Sequence, residues 1–167
     1  MTIKEVCELA KQTALAYSGH VPMLIVNGSK SSAICQLESL PDTHEAKAQR
    51  MAMTGFSLAR KNEIGLPKQV FLVTEGWMST AKDGKIPQIR PSQDPNRKEV
   101  LLVNSLNVQP RQLDGVVFEI LRDRKAKIVE LKELQLHPKE SEKGEPLKME
   151  SPLLDAFVFG FGKGLNG

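Results

Sequence analysis

Two apolar segments decide the fold, and they read Gln69-Val70-Phe71-Leu72-Val73-Thr74-Glu75-Gly76-Trp77-Met78 and Glu99-Val100-Leu101-Leu102-Val103-Asn104-Ser105-Leu106. Both are rich in β-branched and large apolar residues, a composition typical of strands buried within a sheet. The connection between them, Ser79–Lys98, contains Pro87, Pro91 and Pro95, and each proline lacks a backbone donor and has a restricted φ. We therefore predict two buried strands joined by a long irregular loop, a type of connection that commonly forms a lid or a binding surface.

Length and composition predict a single cytoplasmic domain. A chain of 167 residues with 40% hydrophobic and 26% charged residues can bury a substantial core. Its apolar runs, such as Val100–Val103, are far shorter than a bilayer span, and its first residues do not resemble a secretory signal. The 23 basic and 20 acidic residues give a net charge of +3, which is too balanced to indicate a nucleic-acid or membrane partner by itself.

Two helices are predicted before the first apolar segment. The first begins with a capping box formed by Thr2 and Glu5, and Gly19 is placed to end it. The second is expected to begin after an N-cap at Asp42 and to run to about Lys61. Small residues along one side of the second helix would let it approach the sheet closely: Ala48, Ala52, Gly55 and Ala59.

Two further segments are predicted to be hairpins. Asn27-Gly28 follows an apolar run and precedes a second short strand, which predicts a tight type I′ turn. The segment 112–136 is ambiguous, because its apolar residues recur at near-helical spacing but also fit two strands around a charged turn. We favour the hairpin, since β-forming residues cluster after Gly115 and this glycine weakens a helix.

The C-terminal segment is predicted to be a short helix. Ser151-Pro152 provides an N-cap and a first-turn proline, and apolar positions continue from Leu153 to about Phe161. The string Gly-Phe-Gly-Lys-Gly at 160–164 superficially resembles a phosphate-binding loop. That loop joins a strand to a helix N-terminus, whereas this string follows a predicted helix. We therefore expect the glycines to end the helix in a frayed terminus.

These elements together predict an α+β domain. Its mostly antiparallel sheet would have about five to six strands, packed against two to three helices. Two irregular segments complete the expectation, the proline-containing loop 79–98 and a charged loop at 137–151.

No motif in the sequence identifies a reaction, a metal or a cofactor. His20, His44 and His137 are isolated, and none belongs to a spacing pattern of metal ligands. Cys7 and Cys35 form no CxxC pair and have no histidine at a recognisable spacing, so we predict buried free thiols. The sequence therefore leaves open whether the protein is an enzyme.

The ends of the two apolar segments provide the one candidate ligand site. If the two strands are neighbours, Glu75, Trp77, Asp94 and Arg97 converge at one edge of the sheet. Trp77 would then form an apolar wall, Arg97 would bind a carboxylate or phosphate, and Glu75 or Asp94 would act as an acid or base. The alternative is structural: Trp77 packs the loop down, and Arg97 pairs with Asp94 or Glu75 to hold it.

Three functions are consistent with these features. We favour a small accessory or protein-interaction module, whose loop 79–98 and sheet edge contact a protein partner or a second copy of the chain. The second is a small-ligand-binding protein or enzyme that uses the strand-end residues around Trp77 and Arg97. The third, weak nucleic-acid binding, is the least favoured, because the loop has only a mild basic excess and one aromatic side chain near it.

Overall fold

The computed structural model describes residues 1–79, 89–135 and 151–166. The helices are α1 (Ile3–Tyr17), α2 (His44–Lys61) and α3 (Pro152–Asn166), with a short 3-10 turn at Pro91–Gln93. The strands are β1 (Met23–Gly28), β2 (Ser32–Gln36), β3 (Pro67–Met78), β4 (Lys98–Asn107), β5 (Gln112–Arg122) and β6 (Ile128–Leu134). Residues 80–88 of the predicted loop 79–98 and residues 137–150 of the predicted charged loop lie outside the described residues.

The described strands form one six-stranded sheet in the order β2-β1-β3-β4-β5-β6, and every neighbouring pair is antiparallel. Helix α1 packs on one face of this sheet, and α2 and α3 pack on the other. The predicted α+β class, with a mostly antiparallel sheet and flanking helices, is confirmed. In the described residues, no helix is both long and apolar enough to cross a bilayer.

The central strands are buried on both faces because successive side chains of a strand point in opposite directions. In β3, Phe71 and Val73 join the core beneath α1, whereas Val70 and Leu72 join the core beneath α2 and α3. Burying a side chain such as Phe71, which is fully inaccessible to solvent, contributes roughly 2–3 kcal/mol. This double burial explains why the two quoted segments are almost continuously apolar rather than alternating.

The helix ends use the predicted kinds of capping interaction, but two of the capping residues differ from those predicted. The capping box of Thr2 and Glu5 is present. The left-handed residue that ends α1 is Ser18, with a φ of 55°, so the prediction that Gly19 ends it is wrong. The N-cap of α2 is Thr43 rather than Asp42, because the Thr43 hydroxyl accepts the Ala46 N–H at 3.2 Å.

Both hairpins are present, but one turn differs from its prediction. The described part of segment 112–136 forms β5 and β6, and the Asp123 carboxylate accepts backbone N–H groups at their turn. The predicted type I′ turn at Asn27-Gly28 is wrong, because both residues belong to β1 and neither has a positive φ. The tip of that hairpin is shaped instead by the segment after α2, whose carbonyls accept the N–H groups of Ser29 and Lys30.

Glycines hold α2 and α3 in close contact. A Cβ added to Gly160 would overlap the Ala52 carbonyl oxygen of α2, and one added to Gly55 would overlap the Phe157 carbonyl oxygen of α3. The small residues of α2 therefore let it approach α3, and the prediction that they serve approach to the sheet is wrong. The predicted end of the last helix near Phe161 is also wrong, because this packing carries α3 to Asn166.

Adding one methyl group at this helix contact tests it. We expect Gly160→Ala to lower the free energy of unfolding by about 1–3 kcal/mol, because the backbones of α2 and α3 must separate. Gly162→Ala is the matched control, since a Cβ there has no neighbour within 4 Å. It should raise stability by up to about 1 kcal/mol, because alanine favours helix more than glycine does. Urea unfolding followed by circular dichroism measures both, and equal effects of the two variants would contradict the close contact.

Candidate functional site

The ladder between β3 and β4 brings the two predicted strand ends together. Trp77 lies opposite Glu99, and Met78 lies opposite Lys98, so the condition on which the predicted site depended is met. By the alternation of side chains, Glu75 and Trp77 lie on the same face as Phe71, which is the face covered by α1. The candidate site is therefore at the end of the sheet where α1 terminates.

Arg97 contacts Trp77 directly. Its guanidinium carbon lies 4.4 Å from the centroid of the indole ring, in a cation–π arrangement. The indole remains about half exposed. The structure therefore places Trp77 and Arg97 together, with the guanidinium above the indole ring.

Asp94 shapes the turn that leads into β4. This buried residue accepts the Asn96 N–H on its carboxylate at 2.8 Å, and its carbonyl oxygen accepts the Arg97 N–H at 3.1 Å. The first contact is typical of an aspartate that stabilises a turn two residues ahead. Asp94 thus helps to position Arg97 beside Trp77.

Glu75 lies among a different group of charges from Arg97. Its Oε1 atom is buried and has no hydrogen-bond partner. Burial raises the pKa of the Glu75 carboxyl, and the nearby Glu99 raises it further. The backbone amide of His20 and the guanidinium of Arg122 partly oppose this rise. The surroundings of Glu75 therefore favour the protonated form of its carboxyl more than water does.

Arg122 connects four parts of the structure at this end of the sheet. It forms a two-pronged ion pair with Glu99, with Nη2–Oε1 and Nε–Oε2 distances of 2.6 and 2.7 Å. Its Nη1 atom donates to the carbonyl oxygens of Ser18 and Ala126, each at 3.0 Å. The ion pair with Glu99 raises the pKa of Arg122, so the guanidinium keeps its positive charge. Arg122 thus fixes the end of α1 over the strands that carry Glu75 and Glu99.

His20 completes the group, just after the end of α1. The residue is only 8% exposed, and neither ring nitrogen has a hydrogen-bond partner. Burial lowers the pKa of His20, and the nearby Val21 backbone offsets part of this effect without forming a hydrogen bond of good geometry. Burial therefore favours the neutral ring, in which one nitrogen can donate a hydrogen bond and the other can accept one.

The sequence did not point to His20 or Arg122, because each is isolated from the strand ends along the chain. Glu99 was visible as the first residue of a predicted strand, but its partner lies 23 positions later. Only the register of β4 against β5 brings the two together. No local spacing pattern could have revealed this group.

The other candidate groups have ordinary surroundings. Cys7 is buried and Cys35 is half-buried, both are free thiols, and burial raises the pKa of each. His44 is exposed at the start of α2, and His137 lies outside the described residues. Within the residues that the structure describes, no group of three or more metal-ligating side chains could hold an ion.

Comparisons with known proteins add no functional information. No protein-family model matches the sequence, and no curated protein or solved structure shows significant similarity to it. The function must therefore be argued from the geometry of this chain.

Substituting Glu75 tests its environment. A carboxyl whose pKa is raised by folding favours the fold below its unfolded pKa and loses that contribution as pH rises through the folded value. We therefore expect Glu75→Gln to raise the melting temperature at pH 8 by more than it does at pH 4. Glu130→Gln, on the exposed surface of β6, should show no such difference. A Glu75→Gln effect that is independent of pH would show that burial does not oppose the charge.

Proposed function

We propose that the chain is a small protein-interaction module that binds a second copy of itself through edge strand β2. The supporting observation is that β2 is an outer strand with no charged residue. It pairs with β1 alone among the described strands, and its sequence is Ser-Ala-Ile-Cys-Gln. An unpaired and uncharged strand edge is a template for another strand.

The backbone of β2 alternates between groups that face β1 and groups that face outward. The Gly28 N–H donates to the Ser31 carbonyl at 2.9 Å, and the Leu37 N–H donates to the Pro22 carbonyl at 2.7 Å. In an antiparallel ladder every second residue exchanges these bonds, so Ala33 and Cys35 face β1. Three residues therefore turn their backbone N–H and C=O groups outward: Ser32, Ile34 and Gln36.

The opposite edge of the sheet differs in charge rather than in exposure. Ile34 on β2 and Val129 on β6 are both 56% exposed. Strand β6 also carries Glu130, Lys132 and Glu133, and charged side chains on an edge strand oppose pairing with another chain. Of the two edges, β2 alone therefore presents an apolar side chain and free backbone groups without charges.

The sequence of β2 suits pairing with an identical strand. In an antiparallel pair centred on Ile34, this residue lies opposite its own copy, Ala33 lies opposite Cys35, and Ser32 lies opposite Gln36. All of these pairs are uncharged and combine small or flexible side chains. Met53 of α2 is also exposed and adds apolar surface beside the strand, in a groove that it shares with Cys35 and with the charged Arg50 and Lys61. A stable interface needs such surface in addition to one short strand.

A charge at the centre of β2 tests this proposal against a matched charge on β6. We expect the wild-type chain to be a dimer by light scattering. Ile34→Lys should weaken the dimer by roughly 100-fold, because two ammonium groups would meet at the two-fold axis. Val129→Lys introduces the same change at an equally exposed edge position and should leave the dimer intact.

Two results would overturn the proposal. One is a wild-type chain that stays monomeric up to its solubility limit. The other is a dimer that Val129→Lys dissociates as strongly as Ile34→Lys does, because association would then not use β2. Circular dichroism of each variant establishes that the fold is retained.

A second candidate function is ligand binding at Glu75, Trp77, Asp94 and Arg97. The observation that favours it is the position of Arg97 above the half-exposed Trp77 ring. A guanidinium held in this way can still direct donors at a carboxylate or phosphate, while the indole provides an apolar surface. Under this proposal the residues near Trp77 bind an anion, and Glu75 supplies a proton acceptor or donor close by.

Arg97→Ala distinguishes binding from simple anchoring. We expect it to abolish any response of Trp77 fluorescence to phosphate or acetate and to leave the melting temperature nearly unchanged. A contact with a half-exposed ring contributes only about 0.5–1 kcal/mol. Arg124→Ala, at an exposed turn, is the control and should leave the response intact. If Arg97→Ala lowers the melting temperature and the wild type shows no anion response, the result supports the anchoring role.

An oligonucleotide titrated in the same assay tests weak nucleic-acid binding, which stays a prediction.

A further inference from the structure

A cavity of about 290 Å³ opens between the end of α1 and the first two strands. Thr13 and Tyr17 of α1 line one side, Met23 of β1 and Gln36 of β2 line another, and His20 forms part of the wall. This volume is close to the lower limit of small-molecule sites in proteins. Neither Trp77 nor Arg97 lines the cavity, and Gln36 is the one residue of the proposed pairing strand that does.

His20 is the buried polar side chain that a ligand in this cavity would pair with. The side chain is more than nine-tenths buried, and both ring nitrogens lack a hydrogen-bond partner. A buried polar group without a partner costs free energy, so a molecule that pairs with the ring gains more than it would at an exposed histidine. In the neutral form that burial favours, the ring offers one donor and one acceptor.

The remaining walls are uncharged and mostly apolar, with a few polar side chains among them. The Thr13 hydroxyl donates to the Leu9 carbonyl at 2.8 Å, which leaves its oxygen free to accept a hydrogen bond. Gln36 brings an amide that can donate and accept, and Met23 provides an apolar surface. None of the described lining residues carries a charge, so an ion entering the cavity would lose hydration without gaining a counter-charge there.

We propose that this cavity binds a small uncharged molecule that has an apolar body and a group, such as a carboxamide, that both donates and accepts a hydrogen bond. His20 makes the directional contacts, and Gln36 contributes a second pair of donor and acceptor. Glu75 lies beyond Gly19 on the adjacent side, with its Oε1 atom 4.0 Å from where a Cβ of that glycine would be. A positively charged ligand is therefore the alternative that the experiment must separate.

Three probes of nearly identical shape provide the test: benzamide, benzoate and benzamidinium. Each is titrated into the full chain, and the resonances of the His20 ring and the Gln36 side-chain amide are followed by NMR. We expect benzamide to shift both sets of resonances saturably. Benzoate and benzamidinium should bind at least about tenfold more weakly, because the walls provide no counter-charge.

Variants establish where the probe binds. His20→Leu should abolish the benzamide response, whereas His44→Leu, at an exposed histidine, should leave it unchanged. If His20→Leu fails to fold, Gln36→Leu provides the second test at an exposed edge position and should weaken binding several-fold. Ile34→Lys should still bind benzamide, which separates this site from the strand pairing. No benzamide binding, equal binding of all three probes, or unchanged binding by His20→Leu and Gln36→Leu would each overturn the proposal.

Discussion

Strand β3 is covered on both faces and hydrogen-bonded along both edges, and the rest of the structure depends on this constraint. Phe71 and Val73 face α1, whereas Val70 and Leu72 face the pair α2 and α3. Because a shift of one residue would exchange the two sets of side chains, the register of β3 against β1 and β4 is strongly specified. That register also decides which polar residues meet where the apolar segment ends.

The polar end of the sheet follows from the same ladder. Continuing the alternation of β3 past Val73 places Glu75 on the α1 side, next to the ion pair of Glu99 and Arg122. Arg122 in turn holds the end of α1 through the Ser18 carbonyl. Strand register and helix position are thus coupled at one place, where a half-buried carboxyl with a raised pKa lies close to a buried histidine.

Much of the fold could be predicted from local patterns, whereas the groups near the site could not. Apolar runs, capping residues and β-forming clusters indicated the α+β class and favoured a hairpin over a helix in 112–136. The glycines of α3 were misread, because only contact with Gly55 and its neighbours on α2 shows why a helix tolerates them. Likewise, Arg122 meets Glu99 through the sheet register, which no single segment encodes.

One edge strand of the sheet, β2, has no charged residue, whereas the other, β6, has several. The proposed dimer depends on that difference. Amide hydrogen exchange measured by NMR at several protein concentrations tests it most directly, because the Ile34 N–H faces outward from β2. Strand pairing predicts that this amide exchanges slowly in concentrated solution and faster on dilution, while the outward amides of β6 do not change. Rapid exchange of the Ile34 amide at every concentration would contradict the account.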